Sequence, residues 1–174
     1  MDTILEQTDK KILDNPSFRR LGFDKEETAG VVNHLNLLLS NYHVHYQKLR
    51  NFHWNVVGKD FFDLHESFER LYETAFENID NTAERIRVFG HTPNSRLSTF
   101  LEESEITEVS TDLSPDDMVR ETLRDLTILI SYMVSANEAA QEIGDLGTID
   151  MLNEFVKKME KEHWMLNAFL KEEN

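Results

Sequence analysis

Residues 60–89 read DFFDLHESFERLYETAFENIDNTAERIRVF, a run without glycine or proline. Its apolar side chains recur at three- and four-residue steps, which is typical of one face of a long helix. The run also contains two pairs of potential metal ligands at i,i+4 spacing, His65 with Glu69 and Asp80 with Glu84. Each pair shares a helix face, but at about 1.5 Å per residue the two pairs are roughly 22 Å apart.

This separation limits what one chain can do with both pairs. Two ligands of one metal lie only a few ångström apart, so one helix cannot bring both pairs to the same ion. An antiparallel copy related by a two-fold axis would place the His65 end of one helix beside the Asp80 end of its neighbour. If both pairs serve one site, the spacing predicts a homo-oligomer with metal sites between subunits.

The rest of the chain also favours helices. Glycine and proline are few, and most of them fall between segments with helical apolar periodicity. No alternating pattern typical of a strand is found. We predict four long helices, which span Lys25 to Val57, Asp60 to Phe89, Pro115 (capped by Ser114) to Ile143, and Thr148 to Leu170.

The lengths of the connections predict the topology. The first and third connections are short, so each joins two helices into an antiparallel hairpin. The middle connection, residues 91–113, is long enough to run the length of a helix and includes a helical segment at 96–103. This predicts an all-α, single-crossover four-helix bundle, as in ferritin-like folds, over residues 25–174. Residues 1–24 are expected to form a partly ordered arm.

Composition restricts the chemistry. The chain has 174 residues, a net charge of −15 and no cysteine. Disulfides and thiolate metal sites are therefore excluded, and histidine with carboxylates favours iron, manganese or zinc. No apolar run approaches the roughly 20 residues of a membrane span, and the N-terminal residues do not resemble a secretory signal. A cytoplasmic location is the expectation.

Two other histidines, His53 and His163, have neighbours that suit a metal site. His53 ends the first predicted helix, and a short hairpin around Gly58 would bring it close to His65. Glu160 and His163 match half of the Glu-x-x-His pattern of di-iron sites within one bundle, but no second copy of the pattern is present. An intrasubunit di-metal oxidase is therefore the rival enzyme hypothesis.

Four segments resemble the Dps family of mini-ferritins, named as DNA-binding proteins of starved cells. They are NFHWNV at 51–56, FFDLHESFERLYE at 61–73, NIDNTAERIRVFG at 78–90 and WMLNAFL at 164–170. The resemblance extends over about residues 28–170.

The resemblance implies a hollow homo-dodecamer with a ferroxidase centre for two irons at each two-fold interface. Iron(II) would be oxidised there, preferably by hydrogen peroxide, and iron(III) mineral would be stored inside. By position, His53, His65 and Glu69 would come from one subunit, and Asp80 and Glu84 from its neighbour. Position 69 is glutamate where some members have aspartate, and the longer arm could weaken or shift the second metal.

Further roles are implied by the same resemblance. Trp54 would lie near the centre and intercept oxidising radicals; filling the interface is an equally good interpretation. Asp145, Asp150 and Glu154 would line the three-fold pores through which iron enters. Capping by Asp150 and plain solvent exposure are the alternatives for this acidic group.

Binding to DNA is not expected to be strong. Residues 1–25 contain five basic and five acidic side chains, whereas DNA-condensing relatives usually carry a lysine-rich tail. A chain without a basic stripe gains little from counter-ion release. The rival hypothesis, in which the protein is not an enzyme, is a DNA-compacting or structural shell.

Overall fold

The computed structural model describes residues 22–171, which form five α-helices and no strand. Four long helices make a bundle, and a short helix lies on the crossover between the second and third of them. The helices are α1 (Lys25–Asn55), α2 (Phe61–Val88), α3 (Leu97–Glu103), α4 (Pro115–Glu142) and α5 (Leu146–Phe169). The predicted all-α single-crossover bundle is confirmed.

Local signals explain where the helices begin and end. Asp24 and Glu27 form a reciprocal capping box at the start of α1, and Ser114 caps α4 with Pro115 in its first turn. Two predicted ends shift by two residues. The extended backbone at Val56 ends α1 at Asn55, and Asp145, rather than Asp150, caps α5. Residues 1–21 of the predicted arm lie outside the described residues.

Side-chain pairs give the directions of the helices. His45 and Lys48 of α1 contact Asp125 of α4, and Lys48 also reaches Glu121, four residues earlier. From His45 to Lys48 along α1, the contacts extend from Asp125 back to Glu121 on α4, so these two helices are antiparallel. Since the α1–α2 hairpin is also antiparallel, α2 and α4 run parallel, as the long crossover predicted.

One apolar core lies between the four long helices. Its largest fully buried side chains belong to α1, to α2 with its C-terminal cap, and to α4. They are Leu35, Leu38, Leu39, Tyr42, Leu49, Phe52, Phe68, Ile86, Phe89, Met118, Leu126 and Leu129. Leu152 and Phe155 of α5 are also buried in this core. No helix in the described range is apolar enough along its length to cross a bilayer.

The crossover is anchored to α1 by buried polar side chains. The Asn41 carboxamide oxygen accepts hydrogen bonds from the backbone amides of Glu105 and Ile106, at 3.0 and 3.1 Å. The Ser40 hydroxyl donates to Glu103 at 2.9 Å. These contacts satisfy the backbone where α3 ends, so the crossover lies on the α1 side of the bundle.

Candidate functional site

The α1–α2 hairpin brings His53 and His65 together. Gly58 turns the chain between the two helices with a φ of +115°, a conformation that favours glycine. His53 lies in the last turn of α1 and His65 in the first turns of α2. Their rings are stacked with centroids 3.8 Å apart and planes inclined by 21°. The predicted proximity of these two imidazoles is therefore observed.

Each imidazole is fixed by the backbone of the other histidine. His53 Nδ1 lies 2.9 Å from the carbonyl oxygen of His65, and His65 Nδ1 lies 2.8 Å from that of His53. A carbonyl can only accept, so both Nδ1 atoms are the donors, and in a neutral ring Nε2 then keeps its lone pair. This tautomer can bind a metal ion through Nε2, with the ring orientation set by the hydrogen bond at Nδ1.

Two aromatic rings pack against this histidine pair, and one of them is hydrogen-bonded to Glu69. Phe61 stacks on His65 at 5.0 Å, and Tyr72 meets the His53 ring edge-on at 5.3 Å. The Tyr72 hydroxyl donates to Glu69 Oε1 at 3.3 Å. Burial, and then the nearby Glu69 carboxylate, raise the pKa of Tyr72, which keeps the phenol protonated and donating. His53, His65 and Glu69 are together called the first half-site, a group of candidate ligands.

The other two predicted ligands lie far from this half. Asp80 and Glu84 are exposed on the same unbroken helix, roughly 22 Å further along at about 1.5 Å per residue. Across residues 22–171, no group of three or more histidine or carboxylate side chains is arranged to hold a metal ion. A single chain therefore presents two separate half-sites.

Both half-sites face the same side of α2. At 3.6 residues per turn, Asp80 lies roughly 60° around the helix from His65, and Phe76 lies between them. Phe62 and Phe76 on this side are 81% and 61% exposed. Large exposed apolar side chains that flank polar ligands are typical of a surface that another protein covers.

Trp54 adjoins this surface but is not buried. Its side chain is 58% exposed, and the Arg50 guanidinium lies over its ring at 4.6 Å from the centroid. Arg50 also lies over the Tyr46 ring at 5.4 Å. Cation–π contact orders the indole without enclosing it, so a partner surface could still pack against it.

The three predicted pore residues occupy different environments. Asp145 is buried, accepts a hydrogen bond from the backbone amide of Thr148 at 3.2 Å and pairs with Arg85. Asp150 and Glu154 are exposed on α5. Asp145 therefore has structural partners that its sequence position did not reveal, whereas Asp150 and Glu154 present their carboxylates to solvent, with Lys157 Nζ 3.7 Å from that of Glu154.

A buried charged cluster lies between α1 and α4. Lys48 Nζ donates to Asp125 Oδ1 at 2.8 Å, and His45 Nδ1 lies 3.0 Å from Asp125 Oδ2. The Lys48 and Asp125 side chains are 2% and 1% exposed. Lys48 and Asp125 thus form an ion pair buried between the two helices.

Two features of the site were not predicted from the sequence. The contact between Tyr72 and Glu69 was not predicted, although their i,i+3 spacing could have indicated it. The exchange of hydrogen bonds between His53 and His65 had no sequence signal, because it depends on how the hairpin closes.

A four-helix bundle with a single crossover and a histidine–carboxylate surface defines the ferritin-like class. The sequence model described as "Ferritin-like domain" matches residues 32–174. The chain is 43% identical to the DNA protection during starvation protein of Brevibacillus brevis over 136 residues, 78% of this chain and 91% of that protein.

Solved structures agree with this class. Dps from Vibrio cholerae O1, described as a ferritin-like diiron-carboxylate protein, superposes with a TM-score of 0.84 at 35% identity, covering 87% of this chain and 95% of that one. Dps from Bacillus brevis gives a TM-score of 0.82 at 40% identity, covering 86% and 100%. The chain belongs to the Dps family of ferritin-like proteins.

Proposed function

We propose that this protein is a mini-ferritin: it oxidises iron(II), preferably with hydrogen peroxide, at sites shared by two copies of the chain, and stores the iron(III) mineral in a hollow shell. One observation carries the proposal. Two stacked imidazoles and Glu69 lie at one end of α2, while Asp80 and Glu84 project from the same side of its other end.

An antiparallel second copy would complete each site. With the two α2 helices running in opposite directions, Asp80 and Glu84 of one copy would lie against His53, His65 and Glu69 of the other, at two symmetric positions. Phe62 and Phe76 would be buried in the same contact, which removes exposed apolar surface from water. Twelve copies at −15 each give the shell a formal charge of −180, which attracts iron(II).

The shared site suits a two-electron reaction. Two iron(II) ions are substrates, and each gives one electron to hydrogen peroxide; with two protons the products are two iron(III) ions and two waters. Holding the two ions together avoids the one-electron reaction that releases hydroxyl radical. Carboxylate ligands stabilise iron(III) over iron(II), and neutral imidazoles bind without losing a proton.

Two further roles belong to the same proposal. Trp54, ordered by Arg50 at the edge of the proposed interface, would be oxidised in place of other groups if a radical escaped. Asp150 and Glu154, both exposed, would line the pores through which iron enters, since a ring of carboxylates concentrates cations.

Anaerobic iron(II) titration followed by peroxide addition, with mass determination of the particle, tests the proposed function. We expect one peroxide to be consumed for two irons, because both electrons leave one site together. The particle should have twelve chains of 20.4 kDa, about 245 kDa in total. A spin trap should detect little hydroxyl radical. Equal consumption of iron and peroxide with a strong radical signal, or full activity in a monomer, would contradict the proposal.

DNA should not be retained by the assembled protein. The five basic side chains of residues 1–25 are balanced by five acidic ones, and the whole chain is acidic, so few phosphate contacts can form. A mobility-shift assay with plasmid at low salt measures this. The control is Asp9→Lys with Asp14→Lys, which makes the arm net positive and should begin to retard the plasmid. Tight retention by the wild type would show that the prediction is wrong.

A further inference from the structure

Tyr72 contacts candidate ligands from two different helices. Its hydroxyl donates to Glu69, one turn earlier on α2, and its ring packs edge-on against His53 of α1 with the ring planes at 80°. Tyr72 is itself held by Tyr46, whose ring lies 6.1 Å away, also edge-on. No other side chain in the described residues contacts both His53 and Glu69 by a ring contact or hydrogen bond.

The contact with Glu69 affects how this residue can bind a metal. A glutamate side chain has one more rotatable bond than aspartate, so a free Glu69 would sample many positions of its carboxylate. The hydrogen bond occupies Oε1, and Oε2 has no hydrogen-bond partner among residues 22–171. The hydrogen bond therefore restricts the position of the carboxylate and leaves Oε2 as the oxygen without a competing partner.

We propose that Tyr72 is a positioning residue for the second metal of the shared site: its hydroxyl orients the Glu69 carboxylate, and its ring holds His53 against His65. This rests on the proposed function. It also answers the concern that glutamate at position 69 is too long, because the extra length is taken up by the tether to Tyr72.

The physical gain is pre-organisation. A ligand already held near its bound position loses less conformational entropy when the ion arrives. Partners that hydrogen-bond to metal ligands typically contribute 10- to 100-fold in metal affinity. The loss of affinity should affect the second metal, which Glu69 would ligate. The affinity for the first metal, which would depend on Glu84 of the neighbouring copy, should not change.

Cobalt(II) titration of the assembled protein tests this inference, since the visible absorption of bound cobalt reports each ion separately. The variant is Tyr72→Phe, which keeps the ring on His53 and removes only the hydroxyl. We expect the second cobalt to bind about 10-fold more weakly and the first to be unchanged. In a Glu69→Ala background, Tyr72→Phe should make no further difference, because the partner of the hydroxyl is gone.

Tyr46→Phe is the matched control. Tyr46 packs on Tyr72, and its hydroxyl makes no hydrogen bond within the described range, so both cobalt steps should stay as in the wild type. Unchanged second-step affinity in Tyr72→Phe would overturn the proposal. So would equal weakening of both steps, which would indicate a general structural role. Failure of the wild type to bind two cobalt ions per site would instead defeat the proposed function itself.

Discussion

Co-expressed His65→Ala and Glu84→Ala chains should recover iron(II) oxidation that neither variant has alone. Each variant in a shell of its own should lose roughly 100-fold or more of the wild-type rate, because a missing ligand costs at least as much as a missing outer partner. The measurement is the initial rate of iron(II) oxidation after peroxide addition, normalised to assembled protein.

The size of the recovery follows from two-fold symmetry. In a mixed pair, one site combines both substitutions, and the other combines the intact His65 of one chain with the intact Glu84 of its partner. Random assembly makes half of the pairs mixed, and half of their sites are intact. The expected rate is therefore about one quarter of the wild-type rate.

A same-side pair gives the control. His65 and Glu69 belong to the same half-site, so co-expressed His65→Ala and Glu69→Ala chains leave every site damaged, and no recovery is expected. The mass of each particle verifies that assembly is preserved. If the His65→Ala and Glu84→Ala mixture oxidises iron(II) no faster than the His65→Ala and Glu69→Ala mixture, the site is not shared between two chains. That result would favour a site within one bundle.

The largest loss of stability should follow from Asp125→Ala. This substitution leaves the Lys48 ammonium inside the bundle without its carboxylate and removes the hydrogen bond of His45. Breaking a buried ion pair by removing one partner typically costs about 3–5 kcal/mol, because the other charge is stranded in a poorly solvated position. Denaturant unfolding at one fixed protein concentration measures the change, since assembly links stability to concentration.

Asp116→Ala provides the comparison on the same helix. Asp116 is exposed and lies 3.9 Å from Arg120, so its loss should cost about 1 kcal/mol or less. Adding Lys48→Met to Asp125→Ala removes the stranded charge and should restore part of the stability. An Asp125→Ala cost no larger than that of Asp116→Ala would mean that the cluster is hydrated in the assembled protein.

The sequence predicted the bundle well because its helices are long and regularly patterned. Apolar periodicity over residues 60–89 identified α2 to within one residue at each end, since a stripe of this length has no competing strand interpretation. Ser114 and Pro115 located the start of α4 for a similarly local reason, because a cap acts on its own first turn. The crossover followed from loop length alone.

Contacts between distant residues were the part that sequence could not supply. The resemblance implied a pore role for Asp145, and its ion pair with Arg85, sixty residues earlier, was not predicted. Nothing in the sequence around His45 indicates its contact with Asp125, eighty residues later. Neither pairing has a periodic signature, because both depend on which helix faces meet.

The sequence by itself determined that the two pairs of candidate ligands on α2 are too far apart to bind one metal ion within a single chain. The reason is that the rise per residue of a helix is a local property of the backbone. The tertiary structure alone decided which imidazole nitrogens donate hydrogen bonds, which Glu69 oxygen accepts one, and which charged side chains are buried. These features depend on hydrogen bonds between segments that only become neighbours when the hairpins close and the helices pack.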